Sequence, residues 1–126
     1  MNKYHSKKTR LSDGTVFDSR KEARRWQQLR LLEGRGEIQD LKRQVEYELV
    51  PNQYEIVERY SDKTGKRLKD EKRLAERRVC YVADFVYTKD GEIVVEDTKS
   101  PVTRTKDYII KRKLMRHIHG IVIQEI

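Results

Sequence analysis

A chain of 126 residues is most simply one domain, residues 1–126, large enough to bury its own core. With 40% charged residues and a net charge of +8 it attracts polyanions, and nucleic acid is the first partner to consider. A single cysteine excludes an intrachain disulfide and suits a reducing compartment, no long apolar run suggests a membrane, and Met1–Arg10 lacks the apolar core of a signal peptide.

Lys3, Lys7, Lys8 and Arg10 make residues 1–10 a basic arm without one acid, read either as a phosphate contact or as a frayed, solvated terminus. Thr15-Val16-Phe17 forms a short extended piece leading to Asp18-Ser19. Ser19-Arg20-Lys21-Glu22 fits a capping box, in which the serine hydroxyl and the glutamate three residues later satisfy free amides of the first turn. Ala23, Trp26, Leu29 and Leu32 follow at helical spacing and Glu33-Gly34 supplies a stop, which predicts an amphipathic helix over Arg20–Glu33. Trp26 belongs to its buried stripe, and Glu22 lies one turn earlier at the stripe's edge.

Val45, Tyr47 and Leu49 alternate with Gln44, Glu46 and Glu48, the pattern of a half-buried strand ending at Pro51. Tyr54–Val57 extends it after a bend, and a charged insertion over 58–78 is either a long hairpin tip or a short helix. Next come two runs rich in Val, Ile, Tyr and Phe around Asp90-Gly91, a dipeptide suited to a two-residue turn with positive φ at both central positions. Pairing Lys89 with Glu92 sets Val86 against Val95, Phe85 against Glu96, Asp84 against Asp97 and Val82 against Lys99. Side chains alternate along a strand, so Asp84, Asp97 and Lys99 share a face and Glu96 points to the other. Like charges directly opposed, with Cβ atoms about 4.5–5.5 Å apart, destabilise a sheet. Around a divalent cation the same pair is favourable, because hard oxygen ligands cancel their repulsion on the ion, and a nearby lysine can orient the water for phosphodiester hydrolysis.

Ser100-Pro101 leaves the ladder, Thr103 or Thr105 caps a helix over 105–119, and Gly120 ends it before a last strand at Ile121-Val122-Ile123. Tyr108, Ile109, Leu114, Met115 and Ile118 form its apolar side. Lys106, Lys111, Arg112, Lys113 and Arg116 crowd the other, and from Lys99 to His117 seven Lys or Arg face one acid, Asp107, a surface suited to a phosphate backbone. His117 and His119 are two residues apart, on different helix faces, and with His5 make no zinc signature.

Asp84 followed after a turn by Asp97-Thr98-Lys99 resembles the Asp…(Asp/Glu)-x-Lys signature of the PD-(D/E)xK nuclease superfamily. The flanking Tyr81–Tyr87 and Val95–Ser100 resemble a small phage-encoded branch related to Holliday-junction resolvases and to the endonuclease subunit of heteromeric transposases. The likeness extends over roughly residues 10–50 and 78–126, with Ala83 standing where the superfamily usually has proline. It implies an α/β (α+β) restriction-endonuclease-like αβββαβ core, a mixed sheet flanked by helices, which agrees with the order of elements read above. It also implies a magnesium-dependent endodeoxyribonuclease, with manganese able to substitute, cutting branched DNA such as a Holliday junction in DNA recombination. On that reading Asp84 and Asp97 ligate the metal, and Glu22, in its Ser-x-x-Glu setting, completes the shell with the Thr98 backbone carbonyl. Lys99 polarises the attacking water, and Lys106, Lys111, Arg112, Lys113 and Arg116 bind DNA. A resolvase cuts two strands symmetrically, so a homodimer is expected. No small-molecule cofactor and no membrane partner are expected, and a phage or prophage product would work in the bacterial cytoplasm. A non-cleaving DNA-binding module of the same fold and a phage structural or assembly protein are the rival expectations.

Overall fold

The computed structural model describes residues 8–126, so residues 1–7 of the expected basic arm lie outside the described residues. The chain divides into two units, one of Met1–Tyr47 with Tyr81–Ile126 and the other of Glu48–Cys80.

In the first unit, β1 (Thr9–Arg10) and β2 (Val16–Phe17) pair antiparallel, Thr9 with Phe17 and Arg10 with Val16, so the end of the basic arm is a strand. Helix α1 (Arg20–Gly34) starts where predicted: Ser19 is extended and its Oγ accepts from the Glu22 amide at 3.1 Å. Its end differs from expectation, because Gly34 is the last helical residue and the positive φ, 78°, belongs to Gly36. Ala23 and Leu29 are buried with Phe17, Ile38, Phe85 and Tyr87. Trp26 is core as expected, stacked on Phe85 with ring centroids 6.0 Å apart and tilted against Phe17 at 6.3 Å.

The main sheet is mixed, with strands in the order β3 (Gln39–Val50), β6 (Val79–Lys89), β7 (Glu92–Asp97) and β8 (Gln124–Glu125). β6 and β7 form the predicted hairpin, with Asp90 at φ 51° and Gly91 at φ 79° in its turn and Lys89 paired with Glu92. The register then runs Val86 with Val95 and Phe85 with Glu96, as the turn dictates.

Helix α2 (Lys106–His119) carries the chain from β7 to β8, which lies parallel to β7. Thr105 caps its start, and Gly120, at φ 67°, ends it with bonds from the Gly120 and Ile121 amides to Arg116 and Met115 carbonyls. Tyr108 and Met115 are buried, whereas Ile118 is exposed, so the apolar stripe is narrower than expected. The last strand also differs: it is Gln124–Glu125, and Ile121–Ile123 approach it as irregular chain with Ile123 buried. Parallel pairing of Glu96 with Gln124 and Asp97 with Glu125 continues past the strand, through Ile126 N to Asp97 O at 3.0 Å and Lys99 N to Ile126 O at 3.1 Å. This ladder holds the Asp97-Thr98-Lys99 backbone in place. The arrangement is an α+β fold whose first unit follows the αβββαβ order, α1, β3, β6, β7, α2, β8.

The second unit is an antiparallel ribbon of β4 (Gln53–Val57) and β5 (Glu71–Glu76), in which Tyr54 pairs with Leu74 and Ile56 with Lys72. Tyr54–Val57 therefore turns into a separate hairpin, and the charged 58–78 segment is its tip and return strand, closed by a bridge between Tyr60 and Arg67.

Candidate active site

The hairpin ladder follows the expected register from Lys89 and Glu92 as far as Phe85 and Glu96, and the expected pairs Asp84 with Asp97 and Val82 with Lys99 lie beyond its end. Beyond the last ladder pair, Phe85 with Glu96, the Asp84 carboxyl lies near enough to Asp97 to hold the Asp97 carboxyl above its ordinary value. Asp84 is fixed from the strand end: its Oδ2 accepts from the Thr98 amide at 2.9 Å and the Thr98 hydroxyl at 2.8 Å. Asp97, only 3% exposed, accepts at Oδ2 from the Tyr81 hydroxyl at 2.6 Å. Lys99 Nζ lies 3.5 Å from Asp97 Oδ1 and 4.3 Å from the centre of the Tyr108 ring, so its ammonium is held between a carboxylate and an aromatic face. The Lys99 carbonyl accepts from Lys21 Nζ at 3.0 Å, a tie from the first turn of α1.

Glu22 arrives from α1, buried to 3% exposure. Its amide makes the capping bond to Ser19, but its carboxylate does not close the expected box. Oε1 instead lies 3.3 Å from Gln44 Nε2 and 3.7 Å from an Arg43 guanidinium nitrogen. Arg43 in turn covers the aromatic pair, 4.0 Å over Phe17 and 5.7 Å over Trp26.

The charge of Asp84 acts on both Glu22 and Asp97. Burial, and then the charge of Asp84, pushes the Glu22 carboxyl up to about 7. Burial, and then the hydrogen bond and charge of Asp84, pushes Asp97 to about 7 against the pull of Tyr81 and Lys99. Tyr81 is raised by burial and by Asp97, so it stays a hydrogen-bond donor. The donors are hard oxygens, and burial with mutual repulsion makes two of them reluctant to ionise; a divalent cation reverses that by displacing their protons. In kind they fit the metal that the resemblance implies. In arrangement they are a pair with a flanking acid: among the described residues no group of three or more His, Cys, Asp or Glu side chains is gathered into a ready metal cage.

Glu96 lies on the other face, as alternation predicts. Arg25 donates to both its oxygens, Nε at 2.8 Å and a terminal nitrogen at 2.6 Å, and the Tyr87 hydroxyl donates to it as well. This bidentate pair raises Arg25 above its ordinary value and ties α1 to the sheet. Alternation fails at Tyr81, which shares the parity of Phe85 yet bonds Asp97; the ladder with β7 stops at Phe85, four residues before Tyr81 is reached.

Of the basic residues on α2, Lys106, Lys113 and Arg116 are exposed and Lys111 and Arg112 half-buried. Arg112 is partly committed to Glu125, at 3.2 Å, which also binds Arg104 at 3.1 Å and the Tyr108 hydroxyl at 2.7 Å. Sequence reasoning missed Tyr81, Arg43, Gln44 and Lys21. Tyr81 stood inside the hairpin as an apolar strand residue, and the polar positions of a half-buried strand, such as Gln44, carry no sign of the turn that redirects them.

No helix among the described residues is long and apolar enough to cross a membrane. No curated protein and no solved structure matches the sequence. The family model described as protein of unknown function (DUF1064) matches residues 1–122, and the chain belongs to that family.

Proposed function

We propose that this chain is a magnesium-dependent endonuclease, able to use manganese, that hydrolyses phosphodiester bonds in branched DNA and acts as a homodimer in the bacterial cytoplasm. The observation that carries the reading is buried Asp97, with Lys99 3.5 Å away, raised by the charge of the neighbouring Asp84, which also raises buried Glu22. Grouped, buried acids cost folding free energy. A cation offsets that cost, and the reading gives the arrangement a purpose. The resemblance of Asp84 and Asp97-Thr98-Lys99 to the PD-(D/E)xK signature supports the same assignment.

Asp84 and Asp97 would hold the ion, with Glu22 and the Thr98 carbonyl completing its surroundings. Bound there, the cation would polarise the scissile phosphate and stabilise charge on the leaving oxygen. The Thr98 amide and hydroxyl orient Asp84, and Tyr81 orients Asp97. Lys99 Nζ, restrained by Asp97 and Tyr108, donates hydrogen bonds to the attacking water. Lys106, Lys111, Arg112, Lys113 and Arg116 would meet the phosphate backbone. A non-cleaving module or an assembly protein leaves the paired acids without a role.

Four-way junction, nicked duplex and linear duplex, incubated side by side with magnesium or with chelator, test this. Metal-dependent, paired cutting of the junction by a dimer in sedimentation is expected. Salt-sensitive binding without cleavage in any metal refutes the nuclease assignment. Equal cleavage of linear DNA by a monomer refutes only the branched-DNA part.

A further inference from the structure

Arg43 and Gln44 are consecutive residues of β3, and in a regular strand they would point to opposite faces. Both nevertheless reach one atom, Glu22 Oε1, at 3.7 Å and 3.3 Å. The cause is the backbone of Gln44, whose φ of 52° is left-handed in the middle of a strand. Glycine adopts that conformation without strain and asparagine at little cost, whereas a longer side chain is disfavoured there by about 1 kcal/mol. Gln44 therefore stands where stability alone would select Gly or Asn. Its side chain is long enough to reach Glu22, and an amide has the right chemistry: it donates a hydrogen bond that orients a carboxylate without cancelling its charge. Arg43 is kept further off, its guanidinium stacked on Phe17 and its Nε buried without a hydrogen-bond partner.

We propose that the left-handed turn at Gln44 exists to aim Glu22 at the Asp84–Asp97 pair, making Gln44 a positioning residue for the metal centre. The inference rests on the reading of that pair as a metal site. Without the amide, Arg43 at 3.7 Å would be left as the polar side-chain contact on Glu22 Oε1, and a bound cation would lose part of the support of that acid.

Gln44→Gly and Gln44→Asn keep a residue tolerant of positive φ while removing the reach to Glu22. Three quantities are measured on each: thermal unfolding in chelator, the manganese dissociation constant by calorimetry, and the carbon shift of the Glu22 carboxyl by metal-free NMR. Both variants are expected to unfold at or above the wild-type temperature, to bind manganese roughly 10-fold more weakly, and to show a displaced Glu22 signal. Cleavage should recover as manganese is raised, since the chemistry-bearing groups remain. Wild-type manganese affinity in both variants overturns the proposal, as does marked loss of thermal stability, which would make Gln44 structural. Asp84→Asn is the control: if it too binds manganese like the wild type, the metal-site reading itself has failed. If it alone loses binding, only the role of Gln44 has failed.

Discussion

Replacing Asp97 by asparagine separates a site residue from a structural one, because the two roles predict opposite signs for stability. Asp97 is 3% exposed and its carboxyl is raised from 3.8 to about 7, chiefly by burial and next by Asp84. Between those values the folded protein keeps a proton that the unfolded chain has released, so stability falls as pH rises through that window and the penalty is complete above pH 7. At about 1.4 kcal/mol per pH unit, a rise of about 3 units corresponds to roughly 4 kcal/mol at pH 8 and under about 2 kcal/mol at pH 5. An asparagine amide accepts from Tyr81 and donates to Asp84, so Asp97→Asn is expected to be more stable than wild type in chelator at pH 8, by a margin that shrinks at pH 5. If the proposed function holds, the same change should abolish cleavage, leave DNA binding intact, and remove the stabilisation expected of the wild type in magnesium. Urea unfolding at the two pH values, with and without magnesium, measures all of this. A variant less stable than wild type at pH 8 in chelator would show that Asp97 serves the fold, and the reasoning above would be wrong.

On the proposed reading, in which its ammonium acts on water and not on the cation, Lys99→Ala should remove cleavage while manganese affinity changes little; wild-type turnover sinks its assignment. Glu96→Ala strips both bonds from the half-buried Arg25 and should cost about 3 kcal/mol of unfolding free energy, the range for breaking a buried pair; a loss below about 1 kcal/mol would mean that solvent replaces the contact. Cys80→Ser is expected to retain full cleavage, since the proposed chemistry rests on Asp84, Asp97 and Lys99; inactivity in a folded variant would reopen the mechanism.

Much of the site was legible because its geometry is local. Asp90-Gly91 permits few turns, the turn sets the register as far as Phe85 and Glu96, and that register leaves Asp84 and Asp97 just beyond its end and sends Glu96 to Arg25 on the other face. Ser19 and the spacing of Ala23, Trp26 and Leu29 likewise determine a helix start and its buried stripe without reference to anything distant. The terminal strand was misplaced because Ile121–Ile123 look strand-like by composition, while the residues that pair are chosen by the end of β7 and the length of α2. The left-handed turn at Gln44 leaves no trace in the alternation of its neighbours, and the partner that its side chain reaches is 22 residues away in sequence. The same holds for the acidities of Glu22 and Asp97. The isolated helix would leave Glu22 in water, and the isolated hairpin Asp97, each with an ordinary value. Only packing of α1 and Tyr81 around them excludes the solvent that would ionise them, and that desolvation is a property of the assembled tertiary structure.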